Sequence, residues 1–323
     1  MKKHATACIV VLCFIALWIT LRFFFSINGG REMVSKHQKA FKTVSKSHGG
    51  GGQYPAVQQH NSDITLSQSS SDSDPSIPNV DLSSNEQKYI TIGTFNIHHG
   101  VDRQNNESLD VLIDEIKASG AQIIALQEVD RNHFRSGFKD QVKEIAKALS
   151  FSYAYGETIN ILGVKYGNAF VSAYPIIEEE NIVLPTASWE RRGLLKAKID
   201  LGDHIYRFYT THLGLSAKER EEQIAVINRE ISDSPFRVIL MGDFNAQPEY
   251  REMKKIHSGL QDTAHKVAQE QLFTFAYNSI IPNIRIDYIY TSKDVAILKH
   301  WVNPSSISDH NMVLARIDLS SGE

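Results

Sequence analysis

From about residue 87 onward the spacing of apolar positions switches repeatedly between a strand period and a helix period. Short apolar runs or alternations mark strands, and apolar residues three or four apart mark helices. Tyr89–Asn96 (YITIGTFN) is predicted as a strand, and Ser108–Ser119 as a helix with Leu109, Leu112, Ile113 and Ile116 on one face. Gln122–Val129 is predicted as a buried strand and Phe138–Leu149 as a second helix. Strands are then expected over Asn168–Ala173, Glu180–Leu184, Gly193–Asp200 and Ile205–His212. Ser216 with Glu219 forms a capping-box start for a helix over Ala217–Ile231. Strands over Arg237–Asp243, Arg285–Thr291, Val295–Val302 and Met312–Asp318 complete the set. Strands and helices interleave, but several strands follow one another without a helix. That order points to a mixed α/β sandwich rather than a pure doubly wound sheet. The segments Arg131–Gly137, Tyr155–Gly167 and Gln261–Ile284 are left as loops.

The first 86 residues read differently. Lys2, Lys3 and His4 precede an uncharged run from Ala5 to Leu21; Arg22 interrupts it and Phe23–Phe25 follow. Such a run is about the ~20 residues a bilayer-spanning helix needs. It has a basic start and an apolar middle but no A-x-A-like cleavage site. Residues 1–27 are therefore expected to be an uncleaved single-pass membrane anchor, the alternative being a cleaved signal. Residues 28–86, with four consecutive glycines at 49–52 and the Ser/Asp stretch 67–76, are expected to be a disordered linker. Arg31, Lys36, Lys39, Lys42 and Lys46 follow the span and favour a cytoplasmic C-terminal side. The short dibasic N-terminal tail favours the opposite, and an extracytoplasmic catalytic part is the orientation expected here. The only cysteines are Cys8 and Cys13, so residues 87–319 carry no disulfide, no thiolate metal site and no cysteine nucleophile. With 34 Lys+Arg against 37 Asp+Glu, the net charge of −3 argues against a chain built mainly to grip nucleic acid.

Polar residues recur where apolar strands stop. Asn96 ends YITIGTF, Glu128 follows IIALQ, and His212 follows RFYTT. Asp243 and Asn245 end RVILMG, Asp287 follows RI, and Asp309–His310 precede the last strand. A polar group at the end of a buried strand is costly unless it is paired or bound to a metal. One is commonly a turn former; six from scattered parts of one domain suggest a shared cleft. Glu, Asp and Asn are oxygen donors suited to a hard cation such as Mg²⁺ or Mn²⁺. Histidine beside them suits a phosphate oxygen. There is no G-x-S-x-G, H-E-x-x-H or P-loop sequence.

Six segments carry a resemblance: TFNIHHG (94–100), LQEVD (126–130), TTHLG (210–214), GDFNAQP (242–248), RIDYIY (285–290) and SDHNMV (308–313). In this order they resemble the motif set of the endonuclease/exonuclease/phosphatase superfamily, across the whole of 87–319. The resemblance implies a four-layer α/β sandwich, two packed sheets flanked by helices, and Mg²⁺- or Mn²⁺-dependent phosphoester hydrolysis. It implies Asn96, Glu128 and Asp309 on the metal. Asp243 would activate water, Asn245 would brace the phosphate, and His310 would contact it with Asp287 orienting the ring. His212 would serve a leaving or phosphate oxygen. His98 stands where abasic endonucleases carry Asp; together with Arg192, a candidate phosphate clamp, it is a candidate substrate contact. No cluster of cations suits duplex DNA, so a small or lipid-linked phosphoester is expected as substrate. Nuclease action with the same residues is the alternative, and an inactive binding module is the reading from another class. The chain is expected to be a monomer.

Overall fold

The computed structural model describes residues 89–267 and 272–320. The expected anchor and linker, residues 1–86, lie outside the described residues. Among those described, no helix is long and apolar enough to cross a membrane.

Twelve strands form two six-stranded sheets. The first holds β1 (Tyr89–Asn96), β2 (Ile123–Arg131), β3 (Ser152–Ile161), β4 (Val164–Ser172), β11 (Ala296–Asn303) and β12 (Met312–Asp318), in the order β11-β12-β1-β2-β4-β3. The second holds β5 (Ile176–Leu184), β6 (Arg192–Asp200), β7 (Ile205–His212), β8 (Arg237–Asp243), β9 (Leu260–Asp262) and β10 (Asp287–Ser292), in the order β5-β6-β7-β8-β10-β9. β1 and β2 run parallel, as do β7 and β8; the other pairings are antiparallel.

Alternation along the strands explains the layering. Ile90 and Ile92 of β1, Tyr206 and Phe208 of β7, and Ile239 and Met241 of β8 belong to one core between the sheets. The intervening positions face outward. On the first sheet they pack against α1 (Leu109–Ser119) and α2 (Gln141–Leu149) through Leu112, Ile116, Val142 and Ile145. On the second they pack against α3 (Ala217–Ser232) through Ile224, Ile227 and Ile231. The order helix, sheet, sheet, helix is the four-layer sandwich that the motif set implied.

Several boundaries differ from expectation. Tyr155–Gly167 is not a loop: it is most of the β3–β4 hairpin. The polar Thr158 and Asn160 and the partial exposure of this edge strand hide its alternation. The second helix begins at Gln141 rather than Phe138, because Asp140 caps it, its side chain accepting from the Lys143 N–H at 3.4 Å. Gln261–Ile284 contains most of the short β9 and a one-turn α4 (Thr263–Val267) before an irregular stretch. Arg131–Gly137 is mostly loop, with a 3₁₀ turn over Phe134–Ser136.

Candidate active site

The strand period itself delivers four of the expected residues. Asn96 continues the inward stripe of Ile90, Ile92 and Thr94, and His212 continues that of Tyr206, Phe208 and Thr210. Asp243 follows Ile239 and Met241, and Asp287 precedes Ile289. All four therefore face the gap between the sheets where its apolar filling ends, and all four are buried. Register joins them: His212 lies opposite Asp243, and Asp243 opposite Asp287. Gly242 makes this close approach feasible, with φ +148 and the Thr211 backbone where a Cβ would sit.

Glu128 reaches the same place by breaking the alternation. The β2–β4 register shifts between Leu126 and Val129, and Glu128 has φ +60. Leu126 and Val129 then both face the helices. The intervening pair Gln127–Glu128 forms a bulge that re-aims the carboxylate. Gln127 points between the sheets, donating to Thr210 Oγ1 at 2.9 Å.

Asn96 is the hub. Its Nδ2 donates to Glu128 Oε1 at 3.0 Å and Asp243 Oδ2 at 3.1 Å, and its Oδ1 accepts from the His98 N–H at 3.1 Å. His99 Nε2 lies 3.0 Å from Glu128 Oε2. Burial disfavours charge on Glu128, but the imidazoles of His99, His212 and His98 and the Asn96 amide outweigh it. They hold the carboxyl well below the usual range. Burial pushes His99 down to about 4, so this ring is neutral and donates its Nε2–H.

Opposite stands a carboxylate–imidazole pair. His310 Nδ1 lies 2.9 Å from Asp287 Oδ2, and its Nε2 points toward Asp243 Oδ2 at 3.7 Å. Burial alone would lower the imidazole. The charge and hydrogen bond of Asp287, then the charges of Asp243 and Asp309, outweigh burial and raise it to about 10. Asp243 is pushed up to about 7, first by burial and then by the Asp287 charge. His212 is driven well below its ordinary value by burial and by Arg192, and its Nε2 lies 3.5 Å from Asp243 Oδ2. Asn245, at φ +49, donates its backbone N–H to Asp243 Oδ1 at 2.8 Å and its amide to the Leu213 carbonyl at 2.9 Å.

Arg192 is buried and pairs with Glu190 at 2.8 Å, and the Tyr166 hydroxyl donates to the same Glu190 oxygen at 3.2 Å. Arg192, Tyr166, Asn168, Thr158 and His212 come together with Arg191 in a tight depression beside the site. His98 sits at the edge, half-buried, with φ +45. Asp309 is adjacent to His310 in sequence, and its Oδ1 is buried without a partner.

The donor set fits a hard divalent cation. Glu128 is an anion facing imidazoles and an amide, and the nearby Arg135 is engaged by Asp130 at 2.8 Å through two nitrogens. Asp243 and Asp287 add oxygen donors, and Asp287 Oδ1 is buried with no partner. Asp243, Asp287 and His310 bring one ligand atom each within 4.8 Å of one another. Hydrogen bonding already accounts for the His310–Asp287 part of that triplet. Glu128, with no cationic side chain bonded to it, is the better-suited seat for a cation, and Asn96, its Nδ2 on Glu128 and Asp243 and its Oδ1 on the His98 N–H, orients that seat. Asp309, expected beside them, lies outside the triplet.

Four further residues support the site. His99 bonds Glu128, and only its place in TFNIHHG hinted at it. Ser308 bridges the two halves: its Oγ donates to the Asn96 carbonyl at 2.7 Å and accepts from the His310 N–H at 3.0 Å. The Phe275 ring lies 4.6 Å from the His310 ring. Glu115 on α1 accepts from Ser305 Oγ, Ser306 N and Ser306 Oγ, each at 2.7 Å. Ser305 Oγ in turn accepts from the Ser308 N–H at 3.0 Å. Nothing in the sequence around Glu115 marks it.

Comparison with known proteins finds relatives of the sequence and of the fold. The Escherichia coli K12 protein YbhP is 27% identical over 253 residues, covering 72% of this chain and 98% of its own. The solved structure of the Bacteroides thetaiotaomicron mannosyl-6-phosphatase Bt3783 superposes with a TM-score of 0.56 at 17% identity, covering 71% of this chain and 99% of its own. That of D. rerio TDP2 with a single-strand DNA product gives 0.58 at 18% identity, covering 72% and 100%. Residues 93–310 match the sequence profile of the Endonuclease/Exonuclease/phosphatase family, and the chain belongs to that family.

Proposed function

We propose that the chain is a Mg²⁺- or Mn²⁺-dependent phosphoester hydrolase acting on a small or lipid-linked phosphoester. In this reading residues 1–27 tether the catalytic domain (87–319) to a membrane through the 28–86 linker, with the domain on the extracytoplasmic side. One observation carries the reading. The Asp287–His310 pair faces Asp243 at 3.7 Å, and Asp243 shares the Asn96 amide with Glu128. An imidazolium, a proton acceptor and an oxygen-rich cation seat thus adjoin a single gap.

The chemistry follows from these residues. His310, held charged by Asp287, donates Nε2–H to a non-bridging phosphate oxygen. Asn245 braces the same group. Such placed donors contribute roughly 3 kcal/mol each where charge builds up. Asp243, titrating near neutrality, takes the proton of the attacking water. His212, neutral, faces the leaving oxygen, and Arg192 with His98 borders the substrate. Glu128 would hold the cation, with Asn96 fixing its carboxylate and Asp309 as a further oxygen donor. When bound it neutralises phosphate and departing-oxygen charge.

A structural neighbour named as a mannosyl-6-phosphatase supports the small-substrate reading. A neighbour bound to single-strand DNA keeps nuclease action as the second reading. Of the cations near the site, Arg131 pairs with Asp140, Lys139 with Glu107 and Lys165 with Glu157, which leaves the exposed Arg191 beside Arg192. Tracking a nucleic-acid backbone needs several cations free to meet phosphates, so that reading stands second. The test uses the full chain in detergent on bis-p-nitrophenyl phosphate, p-nitrophenyl phosphate, single-stranded DNA and a choline phospholipid, each with Mg²⁺, Mn²⁺ or EDTA. Hydrolysis lost in EDTA and in His310→Ala supports the proposal; hydrolysis unaffected by both defeats it. Preferential, salt-sensitive DNA cleavage would select the nuclease reading.

A further inference from the structure

Exposed apolar residues gather on the loops around the active-site end. The register fixes their position. β4 runs antiparallel to β2, with Lys165 opposite Arg131, so the β3–β4 turn emerges beside Glu128. Arg192 starts β6 at the end where β7 finishes, and Asp287 starts β10 opposite Asp243. The loops before β6 and β10 therefore rise from the same end. They carry Trp189, 62% exposed, and Ile280 and Ile281, 81% and 69% exposed. Phe138, 69% exposed, and Leu162, 98% exposed, stand on the two neighbouring loops. Those two loops are joined by a hydrogen bond from Asn132 Nδ2 to the Gly163 carbonyl at 3.3 Å.

Single exposed apolar residues are ordinary on a protein surface; two of these are not ordinary. Leu162 has φ +53 and Phe138 φ +59, a backbone region that favours Gly, Asn or Asp. Leu162–Gly163 occupies a two-residue hairpin turn, where Asn-Gly is the favoured pair. At both places the fold would be served better by a small polar residue. A bulky apolar side chain there is explained by contact with something outside the domain.

We propose that these loop tips dock on the interfacial region of a lipid bilayer, turning the active-site mouth toward the membrane. The inference rests on the membrane-tethered reading above. Three observations favour a bilayer over a protein partner. The apolar residues sit on separate loops rather than lining one groove, which suits a deformable surface. Aromatic and aliphatic tips are the side chains that enter the headgroup boundary. On the tethered reading, the apolar run of residues 5–25 would hold a bilayer within range. β1 enters from the opposite end, since Asn96 closes it at the site. A linker of ~60 residues has a root-mean-square reach on the order of 40 Å. A domain with a radius of gyration of about 17 Å is roughly 45 Å across, so the tether can let the far end meet the bilayer. Arg131, Lys139 and Lys165 on these loops are paired, so the docking proposed is on a zwitterionic bilayer.

The test places spin labels on the full chain, with Cys8→Ser and Cys13→Ser, reconstituted in phosphatidylcholine vesicles. Labels go at Leu162→Cys, Ile280→Cys and, at the opposite end where β5 begins, Ile177→Cys. Docking predicts that the first two labels gain oxygen accessibility and lose nickel-complex accessibility several-fold relative to detergent, while the third keeps its water-exposed values. Adding Phe138→Asn and Leu162→Asn should return the Ile280→Cys label to water without lowering thermal stability, since Asn suits both backbones. Water-exposed values at both rim labels overturn the proposal. Loss of accessibility to both reagents also overturns it, because that marks a protein contact. Neither outcome depends on hydrolysis, so a failure here is separable from a failure of the proposed activity.

Discussion

Replacing Asp287 with Asn tests the core of the mechanism with almost no change in shape. The amide keeps an oxygen for the His310 Nδ1–H but loses the charge. In the native site that charge and its hydrogen bond offset burial and hold His310 up at about 10. At pH 7 the charged ring is then favoured by about 3 pH units, or roughly 4 kcal/mol. Without the Asp287 charge burial is less opposed, and His310 shifts toward its neutral form at pH 7. The phosphate loses a charged donor, worth roughly 3–4 kcal/mol or 10²–10³ in kcat. Stability responds with a defined sign. A raised imidazole contributes fully below pH 6.5 and loses its contribution as pH climbs through about 10. Metal-free wild type should therefore lose urea resistance over that window, and Asp287→Asn should show a flatter curve. The assay is kcat on bis-p-nitrophenyl phosphate, with circular dichroism to establish folding. A folded Asp287→Asn protein with kcat within about threefold of wild type, beside an inactive His310→Ala, would refute the reasoning.

Three further outcomes are expected. Glu128→Gln should raise the Mg²⁺ or Mn²⁺ concentration for half-maximal activity at least ~10-fold and weaken Mn²⁺ binding by calorimetry, since it removes the anion at the cation seat. Glu115→Ala should cost about 1–2 kcal/mol of stability from part-exposed hydrogen bonds and lower kcat roughly tenfold with KM little changed; Glu115→Gln, which still accepts, should fall between. His300 is lowered to about 4 by burial, with Nδ1 2.8 Å from Thr263 Oγ1. Its neutral form thus contributes stability above pH 6.5 that is lost as pH falls toward 4, up to about 3 kcal/mol. His300→Asn should flatten the urea midpoint between those values.

What could be read in advance followed from the strand period. Asp243 and Asp287 stand two residues from the apolar inward positions Met241 and Ile289, and Asn96 and His212 four beyond Ile92 and Phe208, so a period of two is enough to place them on the inter-sheet face. Glu128 breaks that rule. Alternation assigns the inward position to Gln127, and only the bulge brings Glu128 beside it. Its role was readable from the motif and not from periodicity. Glu115 was illegible for another reason. Glu115 meets Ser306 across 191 residues, and no local pattern encodes that encounter. The β3–β4 hairpin was missed because its turn carries Leu162 where Asn would announce it. The same residue that obscured the hairpin is the one whose exposure the fold does not explain.

The convergence itself has a topological cause. β1–β2 and β7–β8 are the parallel pairs, one central pair in each sheet. Parallel neighbours finish at the same end, and functional groups in such sheets collect beyond their carboxyl ends. Asn96 and Glu128 close the first pair; His212 and Asp243 close the second. Stacking the sheets with both finishing edges together opposes an amide and a carboxylate to an imidazole and a carboxylate. Burying such a set is unfavourable for an isolated fold. The Asn96 and Ser308 hydrogen bonds across the gap offset part of that cost. The remaining negative charge, Glu128 above all, is what a cation would balance. The arrangement is therefore expected to tighten on metal binding: Mg²⁺ or Mn²⁺ should raise the melting temperature of wild type and leave Glu128→Gln unchanged.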